Sequence, residues 1–364
     1  MSTKRWALSA TLLLSSLYNV TLQAQPYTIL EVATDLSHPW SVDFLPNGNY
    51  LVTERGGRLL RIDPDGNTTS IDGVPDTYFA GQGGFFDVLV GPTDTNGTQI
   101  YLSYAKGTPD ANGTAIHSAR LAGNSLADGS DILWSKTLKD TPQHYGGKMT
   151  FGPDQTLFIT TGDGFDYRES SQDTRSELGK VLRINLDGSV PDSNPFQGEL
   201  SDRIWSYGHR NPQGLAFDSS TGVLYLHEHG PKGGDEINII ERSQNYGWPL
   251  ASYGVNYSGA LVSPYTEYLG TKQPEHYWTP SIAPSGLMVY RGALFPQWQG
   301  SLFVGALINK DVRRLDLSGQ QTEEEVLFSE LGERIRDVRQ GPDGAIYLVT
   351  DGPSGRLLRV TPSE

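Results

Sequence analysis

The sequence predicts an all-β fold, a six-bladed β-propeller of four-stranded antiparallel blades. Short runs of β-branched and aromatic residues alternate with clusters of Gly, Pro, Asn and Asp, which is typical of strands joined by tight turns. Beyond residue 25, no long apolar stripe follows the 3.6-residue spacing of an amphipathic helix. One turn-and-strand unit recurs six times, and propeller blades are known to repeat every 40–50 residues or so.

Each copy of the repeated unit has an apolar pair, a turn and four or five strand residues. Proline presets φ for such a turn, and Gly or Asn accepts a positive φ. The turns are centred near positions 46, 92, 153, 218, 296 and 342. The stretches of chain between successive turns are long enough for four strands and their loops. A two-sheet sandwich, the rival fold, would not explain six similar units. We expect the opening segment 27–32 and the last strand, 357–360, to close the ring together.

Residues 1–24 have the pattern of a secretory signal peptide. Lys4 and Arg5 precede a short apolar stretch, and residues 22–24 (LQA) resemble a cleavage site. The apolar stretch is too short for a good membrane span. The alternative to a signal peptide is an N-terminal helix that belongs to the core. We therefore expect an exported protein, periplasmic in a Gram-negative host, in which residues 25–364 form one propeller domain.

The composition excludes several classes of function. Lys and Arg number 28 against 42 Asp and Glu, a formal charge of −14, which argues against nucleic acid or an anionic membrane as the main partner. Cysteine is absent, so disulfides, thiolate metal sites and cysteine nucleophiles are excluded.

Two loop motifs suggest an acid–base site. His144 lies in the motif HYGGK just ahead of the third repeat, and an imidazole with a pKa near 6.5 suits proton abstraction. Asp163 ends the next strand and is placed to orient the imidazole. An isolated surface histidine is the alternative. A glycine-rich GQGG segment at 81–84 permits close approach of a ligand, or is simply a tight turn.

Arginines mark two further loops. Arg210, within the motif GHRNPQG, offers a permanent charge suited to a developing oxyanion. Arg334 and Arg336 alternate along a strand and share a face, which favours a carboxylate-bearing ligand. Bridges between blades are the alternative for all three.

The segment 227–236 (HEHGPKGGDE) suggests a metal site. His227 and His229 share a strand face and could suit zinc, but the carbonyls of the Gly-Pro turn and the neighbouring carboxylates favour Ca²⁺, which prefers six to eight oxygen ligands. A turn of solvated charges is the alternative.

Together the motifs GQGG, HxGG, GHRNPQG, EHGPxGGDEIN and NYGWP, in this order, resemble those of the soluble PQQ-dependent sugar dehydrogenases, and most closely the periplasmic aldose sugar dehydrogenase branch. The resemblance covers nearly the whole chain after residue 24. It implies a six-bladed propeller that uses PQQ and Ca²⁺ to oxidise aldoses at the anomeric carbon to lactones.

The resemblance also implies residue roles. His144 would take the proton of the anomeric hydroxyl while hydride passes to C5 of PQQ, Asp163 would hold His144, and Arg210 would polarise the C5 carbonyl. Further implied cofactor contacts are Gln82, Asn211, Arg334 and Arg336. Implied substrate contacts are Gln82, Gln143, Tyr277 and Trp278. Implied Ca²⁺ ligands are Gly230 and Pro231 beside PQQ, and Glu236 with the carbonyl of Tyr246 at a structural site.

The sequence departs from the family pattern at two points. Ile308 stands where a PQQ-contacting lysine is usual. Lys310, two residues on, would share its face in a strand and is the cofactor contact expected in its place. Gln143 replaces an acid found in glucose-specific relatives, and the pocket loops are short, which together suggest a broad range of aldoses. A calcium-dependent, lactonase-like hydrolase and a non-catalytic binding propeller are the alternatives. The sequence identifies neither the electron acceptor nor whether the protein is a monomer or a homodimer.

Overall fold

The computed structural model describes residues 27–95, 97–319 and 321–363. The predicted signal peptide, 1–24, lies outside the described residues. Within them the chain forms strands and three single-turn 3-10 helices, Arg168–Ser171, Pro296–Trp298 and Ser329–Leu331, with no α-helix. No helix among these residues has the length and apolar character required to cross a bilayer.

The strands of the first three blades, with the strand that precedes them, are β1 (Tyr27–Leu36), β2 (Pro39–Phe44), β3 (Tyr50–Glu54), β4 (Arg58–Ile62), β5 (Thr68–Ile71), β6 (Phe85–Asp94), β7 (Gly97–Thr108), β8 (Ala111–Ala122), β9 (Ser125–Trp134), β10 (Met149–Phe151), β11 (Thr156–Thr161), β12 (Lys180–Asn185) and β13 (Ile204–Tyr207). Those of the last three are β14 (Pro212–Asp218), β15 (Val223–Glu228), β16 (Asp235–Ile239), β17 (His276–Trp278), β18 (Pro284–Val289), β19 (Leu302–Ala306), β20 (Asp311–Asp316), β21 (Glu323–Leu327), β22 (Ile335–Gln340), β23 (Ile346–Thr350) and β24 (Gly355–Pro362).

The strands form six four-stranded antiparallel sheets, which are the blades of a six-bladed propeller. Blades 1 to 5 are consecutive, β2–β5, β6–β9, β10–β13, β14–β17 and β18–β21, and blade 6 has the order β22-β23-β24-β1. The first strands of the blades contact one another in a closed cycle, β2, β6, β10, β14, β18, β22 and back to β2. The predicted fold class is therefore confirmed.

The ring is closed by β1, the outermost strand of blade 6. Tyr27 pairs with Pro362 and Ile29 with Val360 in an antiparallel register. The predicted pairing of the first and last strands is confirmed, and every blade thereby has four strands.

The hydrophobic core consists of six layers, one between each pair of neighbouring blades. Both faces of each sheet are thus buried, which explains why second strands such as β3, β19 and β23 consist of buried residues throughout. The hydrophobic effect holds the ring together through these layers.

The six sequence repeats correspond to the hairpin between the first and second strand of each blade. Their turns therefore lie on one face of the ring. The starts of the first strands and the ends of the second strands lie on the opposite face, which we call the site face.

Candidate functional site

A cavity of about 390 Å³ opens at the centre of the site face, and all six blades contribute to its lining. Among its lining residues are six that the sequence singled out: Gln82, His144, Arg210, Asn211, Arg334 and Arg336. The ring brings these residues together although they are spread over more than 250 positions of the chain.

Many cavity residues occupy one of two equivalent positions in their blades. The position one residue before a first strand supplies His38, Asn211 and Arg334. The position one residue after a second strand supplies Arg55, His229, Leu307 and Asp351. Strand ends on the site face therefore set the geometry of the cavity.

His144 and Asp163 form a hydrogen-bonded pair in the cavity wall, and both side chains are buried. His144 Nδ1 lies 2.7 Å from Asp163 Oδ1, and Asp163 Oδ2 accepts a 2.7 Å bond from Trp248 Nε1. Because an ionised carboxylate only accepts hydrogen bonds, Nδ1 carries the proton and Nε2 keeps its lone pair. Nε2 has no hydrogen-bond partner among the described residues, so it is available to a molecule in the cavity.

The protonation states of the pair follow from burial and charge. Burial lowers the pKa of His144 below its ordinary 6.5; Asp163 opposes this shift, and the positive charges of Arg210 and Lys139 add to it. Burial alone would raise the pKa of Asp163, but the hydrogen bond with His144 and the charge of Arg210 hold it below its ordinary value. At neutral pH the pair is a neutral imidazole beside a carboxylate.

Close backbone contacts fix the position of His144. Its φ is 49°, in the left-handed region, and its N–H donates to Gln82 Oε1 at 2.9 Å. A Cβ on Gly162 would lie 2.3 Å from the carbonyl oxygen of His144, so only glycine fits at that position.

Arg210 lies next to this pair, its carbonyl accepting the N–H of Asp163 at 2.7 Å, and its side chain is also buried. Its Nη1 donates to the carbonyls of His229, at 3.0 Å, and Gly230, at 2.7 Å. Its backbone N–H donates to Glu228 Oε2 at 2.5 Å, and the ring of Trp248 lies 5.4 Å from its guanidinium carbon. The charge of Arg210 is thereby held at one place in the cavity.

The charge of the cavity is positive although the protein is acidic. Arg334 Nε and Arg336 Nη2 share the Oδ2 atom of Asp351, at 2.9 and 3.3 Å. The lining includes four arginines, the fourth being Arg55, and Asp351 is its one carboxylate. Such a cavity favours an anionic ligand.

A second, smaller cavity of about 20 Å³ lies beside the first and is lined in part by Glu228, Gly230, Glu236 and Tyr246. Glu228 and Glu236 face each other across β15 and β16. Burial first, then the charge of Glu228, raises the pKa of Glu236 to about 8. Asn238 Oδ1, close by, is buried without a hydrogen-bond partner.

These oxygens can satisfy a cation. Two carboxylates and nearby carbonyls offer oxygen ligands, which are what Ca²⁺ prefers. Within the described part of the chain no three His, Asp or Glu side chains converge on a metal position, so carbonyls would have to complete the ligand set. His227 and His229 bind different partners, the carbonyl of Ser285 and the amide of Gln213, and do not converge on one ion.

The model of the glucose/sorbosone dehydrogenase family matches residues 36–359. The chain belongs to the glucose/sorbosone dehydrogenase family. The match covers all six blades, so the family resemblance expected from the sequence is confirmed.

Similar members of this family include sugar dehydrogenases. The chain is 42% identical over 353 residues to the aldose sugar dehydrogenase YliI of Escherichia coli (strain K12), covering 94% of this chain and 95% of that protein. It is 28% identical over 406 residues to the quinoprotein glucose dehydrogenase B of Acinetobacter calcoaceticus, covering 88% and 84%. The structure of the PQQ-bound aldose sugar dehydrogenase of Streptomyces coelicolor matches with a TM-score of 0.74 at 27% identity, covering 93% of this chain and 98% of that one.

Five of the expected catalytic, cofactor and substrate residues lie outside the lining of the central cavity, and one of them is Asp163, which contacts His144 without lining the cavity itself. Tyr277 and Trp278 are on β17, the outermost strand of blade 4; the first stacks on Tyr253 and the indole of the second donates to Glu324. β19 ends at Ala306, so Lys310 is exposed in the turn that follows and not in a strand. Gln143 is half-buried next to His144 and does not line the cavity either.

The expected metal ligands lie around Arg210. Gly230, Glu236 and Tyr246 line the smaller cavity. Pro231 lines a neighbouring pocket that includes Arg210 and Trp248.

Sequence reasoning missed Arg55, Asp351 and the indole that supports Asp163. Arg55 and Asp351 follow β3 and β23 directly, in the same blade position as His229 after β15. Aligning the six repeats as far as the end of each second strand would have found them. Trp248 belongs to the long segment between β16 and β17, and no local pattern links it to Asp163, 85 residues away.

Proposed function

We propose that this protein is a PQQ-dependent aldose dehydrogenase that oxidises the anomeric carbon of aldoses to lactones. The observation that carries the proposal is the free Nε2 of His144, fixed by Asp163, in a cavity lined by four arginines. Family membership and the names of the similar proteins support it.

The arginine-rich cavity fits PQQ, which is a quinone with three carboxylates. Arg334 and Arg336 lie side by side at one wall and share a single carboxylate, so they retain donors for an anionic ligand. When bound, PQQ supplies the two-electron acceptor that protein side chains lack.

In this proposal His144 is the general base. Its Nε2 accepts the proton of the C1 hydroxyl, and Asp163 stabilises the imidazolium that forms. The bond from Trp248 keeps the carboxylate oriented toward Nδ1. Because the pKa of His144 is lowered, the imidazole is neutral and ready to accept a proton at neutral pH.

Arg210, Asn211 and Gln82 are proposed to bind and orient the cofactor and substrate. The charge of Arg210 is fixed by two carbonyls, so it stabilises negative charge in the cavity without reorganisation. Gln82 contacts the base through the His144 N–H, and Asn211 Oδ1 accepts the N–H of Gly146 at 3.2 Å. Both amides thus connect the binding wall to the catalytic loop.

Ca²⁺ is proposed as the second cofactor. The carbonyls of Gly230 and Pro231 would hold one ion near Arg210, and Glu236 with the carbonyl of Tyr246 would hold a structural one. The buried pair of carboxylates, Glu228 and Glu236, supports the second assignment. Such an ion would also let Glu236 ionise at neutral pH.

We further propose that residues 1–24 direct export and that residues 25–364 form the catalytic unit. N-terminal sequencing of protein from a Gram-negative host tests this: a mature chain beginning at Gln25 in the periplasmic fraction is expected. Retention of Met1 there would contradict it.

The decisive experiment reconstitutes purified apoprotein with PQQ and Ca²⁺ and offers several aldoses with a reducible dye. We expect dye reduction with more than one aldose and none when PQQ is omitted. Metal-dependent opening of a lactone without PQQ would instead indicate the hydrolase, and no turnover together with no PQQ binding would indicate a non-catalytic propeller.

A further inference from the structure

One arginine of the central cavity has no acceptor for its guanidinium. Arg55 Nε is buried and makes no hydrogen bond, and within the described residues no side-chain hydrogen bond or ion pair involves Arg55. Its backbone is fixed, because its N–H donates to the carbonyl of His38 and its carbonyl accepts from Phe85, both at 3.0 Å. The side chain is thus held in the wall with its donors unused.

The other arginines behave differently. Every other described arginine side chain donates at least one hydrogen bond within the protein. In the cavity, Arg210 has two carbonyls, and Arg334 and Arg336 share Asp351. A guanidinium has five donors and cannot lose its charge, so an unpaired one in a wall is costly.

The surroundings of Arg55 add positive charge, and among the described residues no carboxylate forms an ion pair with it. Its guanidinium carbon lies 5.3 Å from the centre of the Phe79 ring, which gives one face a cation–π contact but occupies no N–H. Arg336 is close enough that burial, with the charges of Arg334 and Arg55, lowers the pKa of Arg336 even though Asp351 opposes the shift. An anion that enters the cavity would supply both the missing acceptor and the missing counter-charge.

We propose that Arg55 binds a carboxylate of the ligand in the central cavity. This inference rests on the proposed function, and two sources of the carboxylate share its chemistry. One source is PQQ itself. The other is a sugar-acid substrate such as glucuronic acid, which would be oxidised at its anomeric carbon while its carboxylate binds Arg55. In either case Arg55 and the Arg334–Arg336 pair hold anionic groups from neighbouring blades, while His144 faces the same cavity from blade 3.

The test compares Arg55→Gln with a matched control, Arg58→Gln. Arg58 is three residues further along the same blade, is exposed, and pairs with Glu54, so its loss removes the same charge without touching the cavity. Arg55→Lys is a second variant that keeps the charge if Arg55→Gln folds poorly. Apoprotein is titrated with PQQ by absorbance, and kcat/KM is measured for glucose and glucuronic acid.

The result expected is a 10- to 100-fold loss in one readout, roughly the value of a charge-assisted hydrogen bond. A weaker PQQ affinity in Arg55→Gln, with the ratio of the two sugars unchanged, identifies the cofactor as the source. An unchanged PQQ affinity with a selective loss for glucuronic acid identifies the substrate.

If the two variants, Arg55→Gln and Arg58→Gln, have the same PQQ affinity and the same kcat/KM values while the unmutated protein binds PQQ, this inference is overturned. The proposed function then remains intact. Failure of the unmutated protein to bind PQQ would overturn both.

Discussion

The two ring nitrogens of His144 have different surroundings, and this difference defines its chemistry. Nδ1 is paired with a buried carboxylate that is itself held by Trp248, whereas Nε2 faces the cavity without a protein partner. His209, by contrast, has both ring nitrogens engaged, with Ser206 and Glu228. The contrast favours a catalytic role for His144.

Replacing His144 with alanine should abolish turnover but not cofactor binding. The loss of a general base typically costs about 10²- to 10⁴-fold in rate, while the arginines that would bind PQQ are untouched. Dye reduction and PQQ titration of the same preparation measure the two effects. Loss of PQQ binding in His144→Ala would show that His144 is a cofactor contact and not the base.

The pKa of His144 in apoprotein should lie below 6.5, since burial disfavours the imidazolium more than Asp163 favours it. Asp163→Asn removes the negative charge that opposes the shift, so the pKa should fall further in that variant. NMR titration of ¹⁵N-labelled histidine measures both values. A pKa of His144 that rises in Asp163→Asn would contradict the electrostatic account.

Among individual residues, the sequence revealed the reactive and charged side chains of the cavity more readily than the residues that hold them in place. His144, Arg210 and Arg334 could be found because unusual polar motifs mark them. Arg55 has no such motif and is found only by aligning the repeats as far as the end of each second strand. Trp248 could not be linked to Asp163, because a tryptophan in a long loop is ordinary until the ring brings it to the cavity. That Tyr277 lies on the outermost strand of its blade could not be foreseen either, because a strand's rank within its blade is not visible in a short motif.

The segment that joins β11 and β12, residues 162–179, is organised by a lysine. Lys180 Nζ is buried and donates to the carbonyls of Ser170, Ser171 and Leu178 at 2.9, 2.9 and 2.6 Å. Ser171 Oγ in turn donates to the carbonyl of Trp248. The ammonium therefore holds the loop that carries Asp163 and supports its indole partner.

Lys180→Met should destabilise the protein by about 2–4 kcal/mol, because three buried carbonyls lose their donor. The variant should also lose kcat, since the loop that carries Asp163 is no longer fixed. Urea unfolding, hydrogen exchange of residues 162–179 and dye reduction measure these effects. The control is Lys272→Met, which removes an exposed pair with Glu241 worth at most about 1 kcal/mol; equal losses in both variants would contradict this role for Lys180.

Elements were largely predictable because the repeated turn marks the first hairpin of every blade. The shortest strands were less so: β10 and β17 have three residues each, too few for a periodic pattern. The expected strand through Lys310 was wrong because the chain turns after Ala306 to begin β20.

At the scale of the whole molecule, a buried charge cluster ties four blades together near the axis. Lys148 Nζ lies 2.9 Å from Asp337 and 3.3 Å from Asp87, and Arg339 also pairs with both carboxylates. The Ser41 hydroxyl lies within hydrogen-bond distance of both as well, at 2.6 Å from Asp87 and 3.0 Å from Asp337. These side chains come from blades 1, 2, 3 and 6, so the cluster fixes the relative position of the first strands beneath the cavity.

Lys148→Met should cost about 3–5 kcal/mol, because it leaves two buried carboxylates with one arginine. Adding Asp87→Asn removes the excess negative charge and should recover part of that loss. Urea unfolding of the single and double variants measures the coupling. If the loss of stability in the double variant equals the sum of the losses in the two single variants, the cluster does not act as a unit.

The two ends of the described chain meet at one edge, since Tyr27 of β1 pairs with Pro362 of β24. Of the strands, β1 is synthesised first but cannot pair until β24, the last, has been made. A chain truncated before β24 therefore leaves blade 6 incomplete. A polypeptide joined directly before Tyr27 would start beside the end of β24, at the outer rim of blade 6 and away from the central cavity. In a circular permutant, a short linker would join β24 to β1, and the new termini would lie in one of the hairpins between first and second strands, on the face opposite the site face.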